Sequence, residues 1–341
     1  MTTIKDVAKR AEVSITTVSH VINGTRYVSD ALTQKVHEAM NALNYRPNSL
    51  ARSLRSGRSR SIGLVIPDIS NLFFAEISRK IEDNGFLHQY SVILCNTDDD
   101  PKKESAYINV LLEKQVDGII FISSGSKGEG LNQIQQSKIP IVIADRDMKN
   151  INADIVLVDN WAGGYEATNY LITLGHERIG CITGPSVVTP SALRVEGYKQ
   201  ALSEKNIPFA SELVVSGDFR FEGGEKAMRQ LIDLEERPTA VFVCNDMMAL
   251  GAMRAINDAN LAIPDDLSII GFDNIPLSNT TVPSLSTTEQ PVAEMAKIVV
   301  DLLINRIRME EEKRKGDNIN TEYSNIVLKT KLILRESCKA R

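Results

Sequence analysis

Aromatic rings grouped with carboxylates, amides and guanidinium groups recur through this 341-residue chain, mostly just after short apolar runs. Asn71, Phe73 and Phe74 follow "SIGLVIP", and Asp145 and Arg146 follow "IPIVIA". Arg194 stands in "SALRVEGY", Phe219 in "GDFRF", Asn245 in "FVCND", Asp273 in "IGFDN" and Gln290 in "TTEQP". Such a set suits a polyol: ring faces cover the apolar C–H faces of a sugar, while carboxylates and amides satisfy its hydroxyls in pairs. Singly, each has a plainer reading. An Asp after a strand is often a cap, and Phe73 and Phe74 serve equally well as core.

A second group of polar side chains lies near the N-terminus. In "ITTVSHVING", residues 15 to 24, hydroxyls and His20 alternate with Val18, Val21 and Ile22. On a helix, Val18, Val21 and Ile22 face a core while Thr16, Thr17, Ser19 and His20 point outward. The elements that position them are legible. Ile4–Ala11 reads as a helix with Thr3 as N-cap, Ser14 caps a second helix over about Ile15–Ile22 that ends near Asn23 and Gly24, and a third spans about Asp30–Leu43. Two short helices across a tight turn, closed by a third, form a helix-turn-helix, and the outward face is then a surface for DNA bases and phosphates. Residues 1–60 hold ten Lys or Arg against four Asp or Glu, a net of +6 in a chain whose total is −5. A basic head on an acidic body favours an anionic polymer as partner.

In "YRPNSLARSLRSGRS", Pro47 stops the third helix and a short helix over about Asn48–Arg55 carries Leu50 and Leu54 on one face beside Arg52 and Arg55. An apolar wedge flanked by cations is what kinking a minor groove requires. From residue 61, "SIGLVIP", "YSVILCN", "DGIIFIS", "IPIVIAD", "RIGCIT", "AVFVCND" and "LSIIGFD" alternate with helical stretches. That is the pattern of parallel sheets made of βαβ units. Their number, and a restart near Gly175–Gly184, predict two doubly wound subdomains with ligands bound beyond the carboxyl ends of the strands.

"TIKDVAKRAEVSITTVSHVINGT", "LNYRPNSLARSLRSG" and "SIGLVIPDISNLFFAEI" resemble, in order, the lactose-repressor (LacI) family of bacterial transcription regulators, over the chain to about residue 336. The resemblance implies a homodimer on a pseudo-palindromic operator, with recognition helices in major grooves and paired hinge helices in the minor groove. Carried over by position, the DNA-contacting residues are Thr3, Ser14, Ile15, Thr16, Thr17, His20, Asn23, Tyr45, Leu54 and Arg55, with Leu54 intercalating. Ile15 stands where many relatives carry a polar residue, which points to a thymine methyl. The body resembles the periplasmic ribose-binding protein, and the ten residues of the opening set match that family's sugar contacts, although Leu72 replaces a usual Pro. "TPSALRVEGYKQAL" and "GDFRFEGGEKAM" are similar to ribose-operon repressors, which implies D-ribose as effector.

The expected organisation is a head over 1–47, a hinge helix and linker over 48–60, and a core over 61–336. Within the core, a first subdomain takes about 61–160 and 291–320, and a second takes about 161–290 and 321–336. Sugar-responsive relatives are released by an inducer, whereas purine-responsive ones use a corepressor, so a purine or another sugar stays open as effector, as does a sugar-binding protein without a regulatory role. No cofactor, metal or membrane partner is expected, and a phosphocarrier partner is left undecided. Charges in the first dozen residues break any signal-peptide core, and the four cysteines lack C-x-x-C spacing, so a cytoplasmic location with reduced thiols is expected. With "LILRESCKAR" at the end in place of a leucine heptad, a dimer is expected rather than a tetramer. Asp145, His176 and Ser191 are available for catalysis, but no G-x-S-x-G elbow or phosphate-binding loop accompanies them, and no enzymatic activity is expected.

Overall fold

The computed structural model describes residues 2–24, 26–46, 58–122, 129–147, 151–186, 188–314 and 322–341. The predicted hinge helix, with Leu50, Arg52, Leu54 and Arg55, lies outside them. The chain divides into two units, Met1–Ser59 and Arg60–Arg341.

The first unit holds α1 (Ile4–Ala11), α2 (Ile15–Asn23) and α3 (Asp30–Ala42), within a residue of the expected bounds. Thr3 and Asp6 close a capping box at the start of α1, and the Ser14 hydroxyl accepts the Thr17 amide at 3.0 Å at the start of α2. Glu12 and Gly24 both end their helices in the left-handed region (φ 55° and 62°), so the turn between α1 and α2 sits on a strained non-glycine residue. Val7, Ala8, Ala11, Val18, Val36 and Ala39 make a small core, and Val21, Ile22 and Tyr45 pack partly against it.

The second unit contains two six-stranded sheets. The first comprises β1 (Ser61–Ile66), β2 (Ser91–Asn96), β3 (Gly118–Phe121), β4 (Ile141–Ala144), β5 (Asp154–Val158) and β11 (Asn325–Leu328), in the order β11-β5-β4-β3-β1-β2 and parallel throughout. The second comprises β6 (Ile179–Thr183), β7 (Val214–Ser216), β8 (Ala240–Val243), β9 (Ser268–Asp273), β10 (Ser286–Glu289) and β12 (Lys331–Ile333), in the order β12-β10-β9-β8-β6-β7, with β12 alone antiparallel to its neighbour. The buried strands are rich in Val and Ile, as sheets covered on both faces require. Crossover helices supply that cover: α4 (Leu72–Leu87), α5 (Pro101–Glu113), α6 (Glu129–Ser137), α7 (Asn160–Thr173), α8 (Thr189–Glu204), α9 (Phe221–Ile232), α10 (Asp246–Asp258) and α11 (Val292–Arg314).

The chain passes between the sheets after β5, after β10 and again between β11 and β12. α11 packs on α4 and on β3, β4 and β5, so it returns to the first sheet, whereas α7 packs on α8 and serves the second. One expected boundary needs correction: residues 321–336 do not all join the second subdomain. Residues 325–328 pair in parallel with β5, Asn325 opposite Ile155, because "NIVL" completes the open edge of the first sheet before the chain crosses to β12.

Candidate effector cavity and nucleic-acid interface

In each sheet the strand order reverses beside the first strand of its winding, at β1/β3 in the first sheet and β6/β8 in the second. Loops diverge at such points and leave a crevice beyond the carboxyl ends of the strands. Asn71, Phe73, Phe74, Asp145, Arg146, Arg194, Phe219, Asn245, Asp273 and Gln290 all line a single cavity there. Every residue of the sequence-derived set is present. Val188 and Pro190 also line it, at the entry to α8, and escaped the sequence reading because apolar residues carry no chemical signature.

Local structure explains the placement. Asn71 and Asn245 are N-caps, their side-chain oxygens accepting the amides of Phe73 (3.1 Å) and Met248 (3.0 Å). Phe73 and Phe74 stand edge to face, centroids 5.1 Å apart, and both are buried. Asp145 (φ 65°), Phe219 (φ 65°) and Asp273 (φ 114°) all sit at positive φ as the chain turns off the strand ends. A side chain on Gly164 would come within 2.3 Å of the Arg194 carbonyl and one on Gly197 within 2.2 Å of the Trp161 carbonyl, so two glycines allow the close α7–α8 approach that sets Arg194 in the wall.

Two carboxyl groups and two guanidinium groups meet in the cavity. Arg194 donates through Nε to Asn160 Oδ1 (2.8 Å) and through Nη1 to the Cys244 carbonyl (2.5 Å), lies 3.6 Å from the Phe272 ring centre, and reaches Asp273 Oδ1 at 3.7 Å. Gln290 donates to the same Oδ1 at 2.7 Å, while its own Oε1 is buried without a donor among the described residues. Burial pushes the Asp273 carboxyl up to about 8, with Arg194 opposing and the nearby Asp246 and Asp145 adding to the rise. Burial likewise raises Asp145, against the pull of Arg146 and Arg194. Arg146 packs beside the Phe74 ring (5.7 Å) and contacts Asp99 at 3.5 Å.

Beneath the cavity, Asp246 binds the loops that carry the site. Its carboxylate accepts from Ile275 N (3.0 Å), Ser278 Oγ (2.5 Å) and Thr287 Oγ1 (2.7 Å), and burial raises it to about 6. The "ND" pair is visible in the sequence, but which partners a carboxylate meets depends on chain contacts tens of residues away. His176 is fully employed elsewhere, Nδ1 with Thr239 Oγ1 (2.9 Å) and Nε2 with the Lys339 carbonyl (3.2 Å), and it does not line the cavity beside Asp145.

In the first unit, Ile15 (45% exposed) and Thr16 present themselves to solvent on α2, with Thr17, Ser19 and His20 half-buried alongside. The Thr17 and Ser14 hydroxyls bond each other at 2.8 Å, and the Asn23 amide turns back to the Ser19 carbonyl (2.8 Å). Thr3 is exposed, and Tyr45 lies partly against the core. Leu54 and Arg55 lie outside the described residues. Tyr27, 90% exposed, was not anticipated.

A helix-turn-helix head followed in sequence by a cleft-bearing body of two parallel sheets is the architecture of a DNA-binding regulator that carries its own effector site. Comparison with known proteins agrees. Residues 3–48 match the model of bacterial regulatory proteins of the lacI family, and residues 168–338 match the periplasmic binding protein-like domain. The chain is 40% identical to the HTH-type transcriptional repressor PurR of Mannheimia succiniciproducens over 99% of both chains. It is also 40% identical to the ribose operon repressor of Haemophilus influenzae over 99% of this chain and 98% of that one. Among solved structures, the lac repressor dimer bound to operator and an anti-inducer superposes with a TM-score of 0.86 at 26% identity, over 99% of each chain. A LacI family transcriptional regulator from Enterococcus faecium with bound ribose does so with 0.73 at 31% identity, covering 82% of this chain and 99% of that one. The chain belongs to the lacI family of bacterial regulatory proteins. Members of that family are transcription regulators, and among the described residues of this one no helix is long and apolar enough to cross a membrane.

Proposed function

We propose that this protein is a cytoplasmic, homodimeric repressor of a sugar-utilisation operon, released from its operator when D-ribose occupies the cavity. The observation that carries the reading is the convergence of all ten polyol-suited residues on one cavity. Three phenylalanines offer ring faces, and the buried Oε1 of Gln290, without a donor among the described residues, awaits a hydroxyl. A relative named for the ribose operon and a neighbour holding ribose agree with it.

On the DNA side, Ile15, Thr16, Thr17 and His20 are the base- and phosphate-facing groups, with Thr3, Ser14, Asn23 and Tyr45 fixing the helix against the backbone and Leu54 and Arg55 working in the minor groove. Sugar closing the cleft turns one subdomain against the other, which in a dimer alters the spacing of the two hinge segments and weakens operator binding. The relative named PurR favours a second reading, a purine acting as corepressor.

Fluorescence anisotropy on labelled operator-length DNA at fixed salt tests both, with D-ribose titrated in and galactose and a purine base as controls. Release by D-ribose alone supports the first reading. Tighter binding with the purine, and no response to D-ribose, overturns it in favour of the second.

A further inference from the structure

We infer that Asp68 and Arg220 form a latch across the mouth of the cleft, a contact between the two subdomains that governs how long a bound sugar stays. Arg220 Nη2 lies 3.4 Å from Asp68 Oδ2. Asp68 belongs to the loop between β1 and α4, three residues before Asn71, and Arg220 directly follows Phe219. The pair therefore bridges two loops that also line the cavity, one from each sheet.

Both partners are held in place for this contact. Ser70 gives its amide (2.9 Å) and hydroxyl (2.6 Å) to Asp68 Oδ1, which leaves Oδ2 facing Arg220, and the side chain keeps only 14% of its surface exposed. The neighbouring Ile69 amide is tied to Asn96 Oδ1 at 2.7 Å, so the end of β2 braces the loop. On the opposite rim, Asp218 Oδ1 accepts the Arg220 amide at 2.8 Å, and Asn245 donates to the Phe219 carbonyl at 3.0 Å. A second carboxylate waits nearby. Asp98 is held below its ordinary range by the Lys103 ammonium and the Asn96 amide, and Arg220 contributes to the same pull. The first rim thus offers an acidic patch to a single arginine of the second.

An ion pair is suited to this task. Arg220 keeps 53% of its side chain exposed, so the contact is weak, and when it breaks the guanidinium is hydrated while Ser70 still holds the Asp68 carboxylate. The inference rests on the sugar reading only for its consequence, longer residence; the latch itself is a property of the ligand-free cleft.

The test uses Arg220→Gln, Asp68→Asn and the charge-preserving Arg220→Lys in the full-length protein. Spin labels at Lys102→Cys and Lys226→Cys, with Cys338→Ser, report the distance across the cleft in the absence of ligand. Stopped-flow displacement gives the D-ribose dissociation rate. Arg220→Gln and Asp68→Asn are expected to broaden the distance distribution and to speed dissociation about two- to five-fold at low salt, with Arg220→Lys close to the parent. High salt should bring the parent toward the variants. Unchanged distance distributions in both neutral variants overturn the latch. If the parent protein fails to bind D-ribose but the distances broaden, the latch stands and the sugar reading falls.

Discussion

Replacing Asp273 by Asn should make the protein less sensitive to alkaline pH, because burial raises this cavity carboxyl to about 8. Burial, opposed by the Arg194 guanidinium, holds it at about 8 against an ordinary 3.8. In the unfolded chain the proton leaves near the ordinary value, while the folded protein keeps it. The group's contribution to stability is therefore intact at acid pH and is lost progressively as pH rises from the lower value to the upper. Each unit in that interval removes about 1.4 kcal/mol, so the whole interval is worth on the order of 5 kcal/mol. An amide does not titrate. Against the gain stands the weakened contact with Arg194 at 3.7 Å and with Gln290 at 2.7 Å, about 2 kcal/mol. Asp273→Asn should consequently be near or below the parent at about pH 5 and exceed it by a few kcal/mol at about pH 8. Trp161, the single tryptophan, stacks on Tyr165 in α7 and supplies a fluorescence signal for urea unfolding of this region. Asp145 and Asp246 are raised mainly by burial in both proteins and couple to Asp273 only through a smaller charge repulsion, so the difference between the two curves reports chiefly on Asp273. Parallel pH dependences in parent and variant would refute the reasoning.

Three further outcomes follow from other contacts. Arg194→Met keeps an apolar stem on the Phe272 ring but loses the donors in the cavity wall, and D-ribose affinity should drop about 10- to 100-fold by calorimetry; unchanged affinity would remove Arg194 from the site. Asp154, fully buried, binds Arg306 through both oxygens, so Asp154→Ala should lower stability by about 3–5 kcal/mol, whereas Asp154→Leu with Arg306→Met should recover most of the loss in thermal unfolding. Equal losses in the two variants would show that the pair is not the cause. Ser14→Ala removes the cap of α2 and should speed hydrogen exchange of the Thr17 amide about five-fold, the equivalent of about 1 kcal/mol, with Ser14→Asp close to the parent; an unaltered rate would deny the cap its role.

Most strands legible in advance are buried on both faces, although "YSVILCN" marked the edge strand β2 as well. "SIGLVI" or "SIIGFD" is apolar at nearly every position, and only a sheet covered on both sides calls for that. "STTE", "NIVL" and "KLI" gave no comparable signal: β10 is a run of small hydroxyl residues, and β11 and β12 sit at sheet edges where one face stays wet. The displaced boundary near residues 325–328 has the same origin, since edge pairing is chosen by the partner strand and not by the segment's own pattern.

What the sequence determined by itself is chemistry and local form: caps at Thr3 and Ser14, the apolar face of α2, the basic head, and the residue types standing after each strand. These depend on neighbours a few positions apart. Only the tertiary structure decided that residues from Asn71 to Gln290 share one cavity, that Val188 and Pro190 join them, that Asp246 binds three loops, and that Asp273 holds its proton to about 8. The reason is physical. Burial and charge pairing are properties of a site assembled from distant segments, and the desolvation that tunes a carboxyl exists only once both sheets have formed around it.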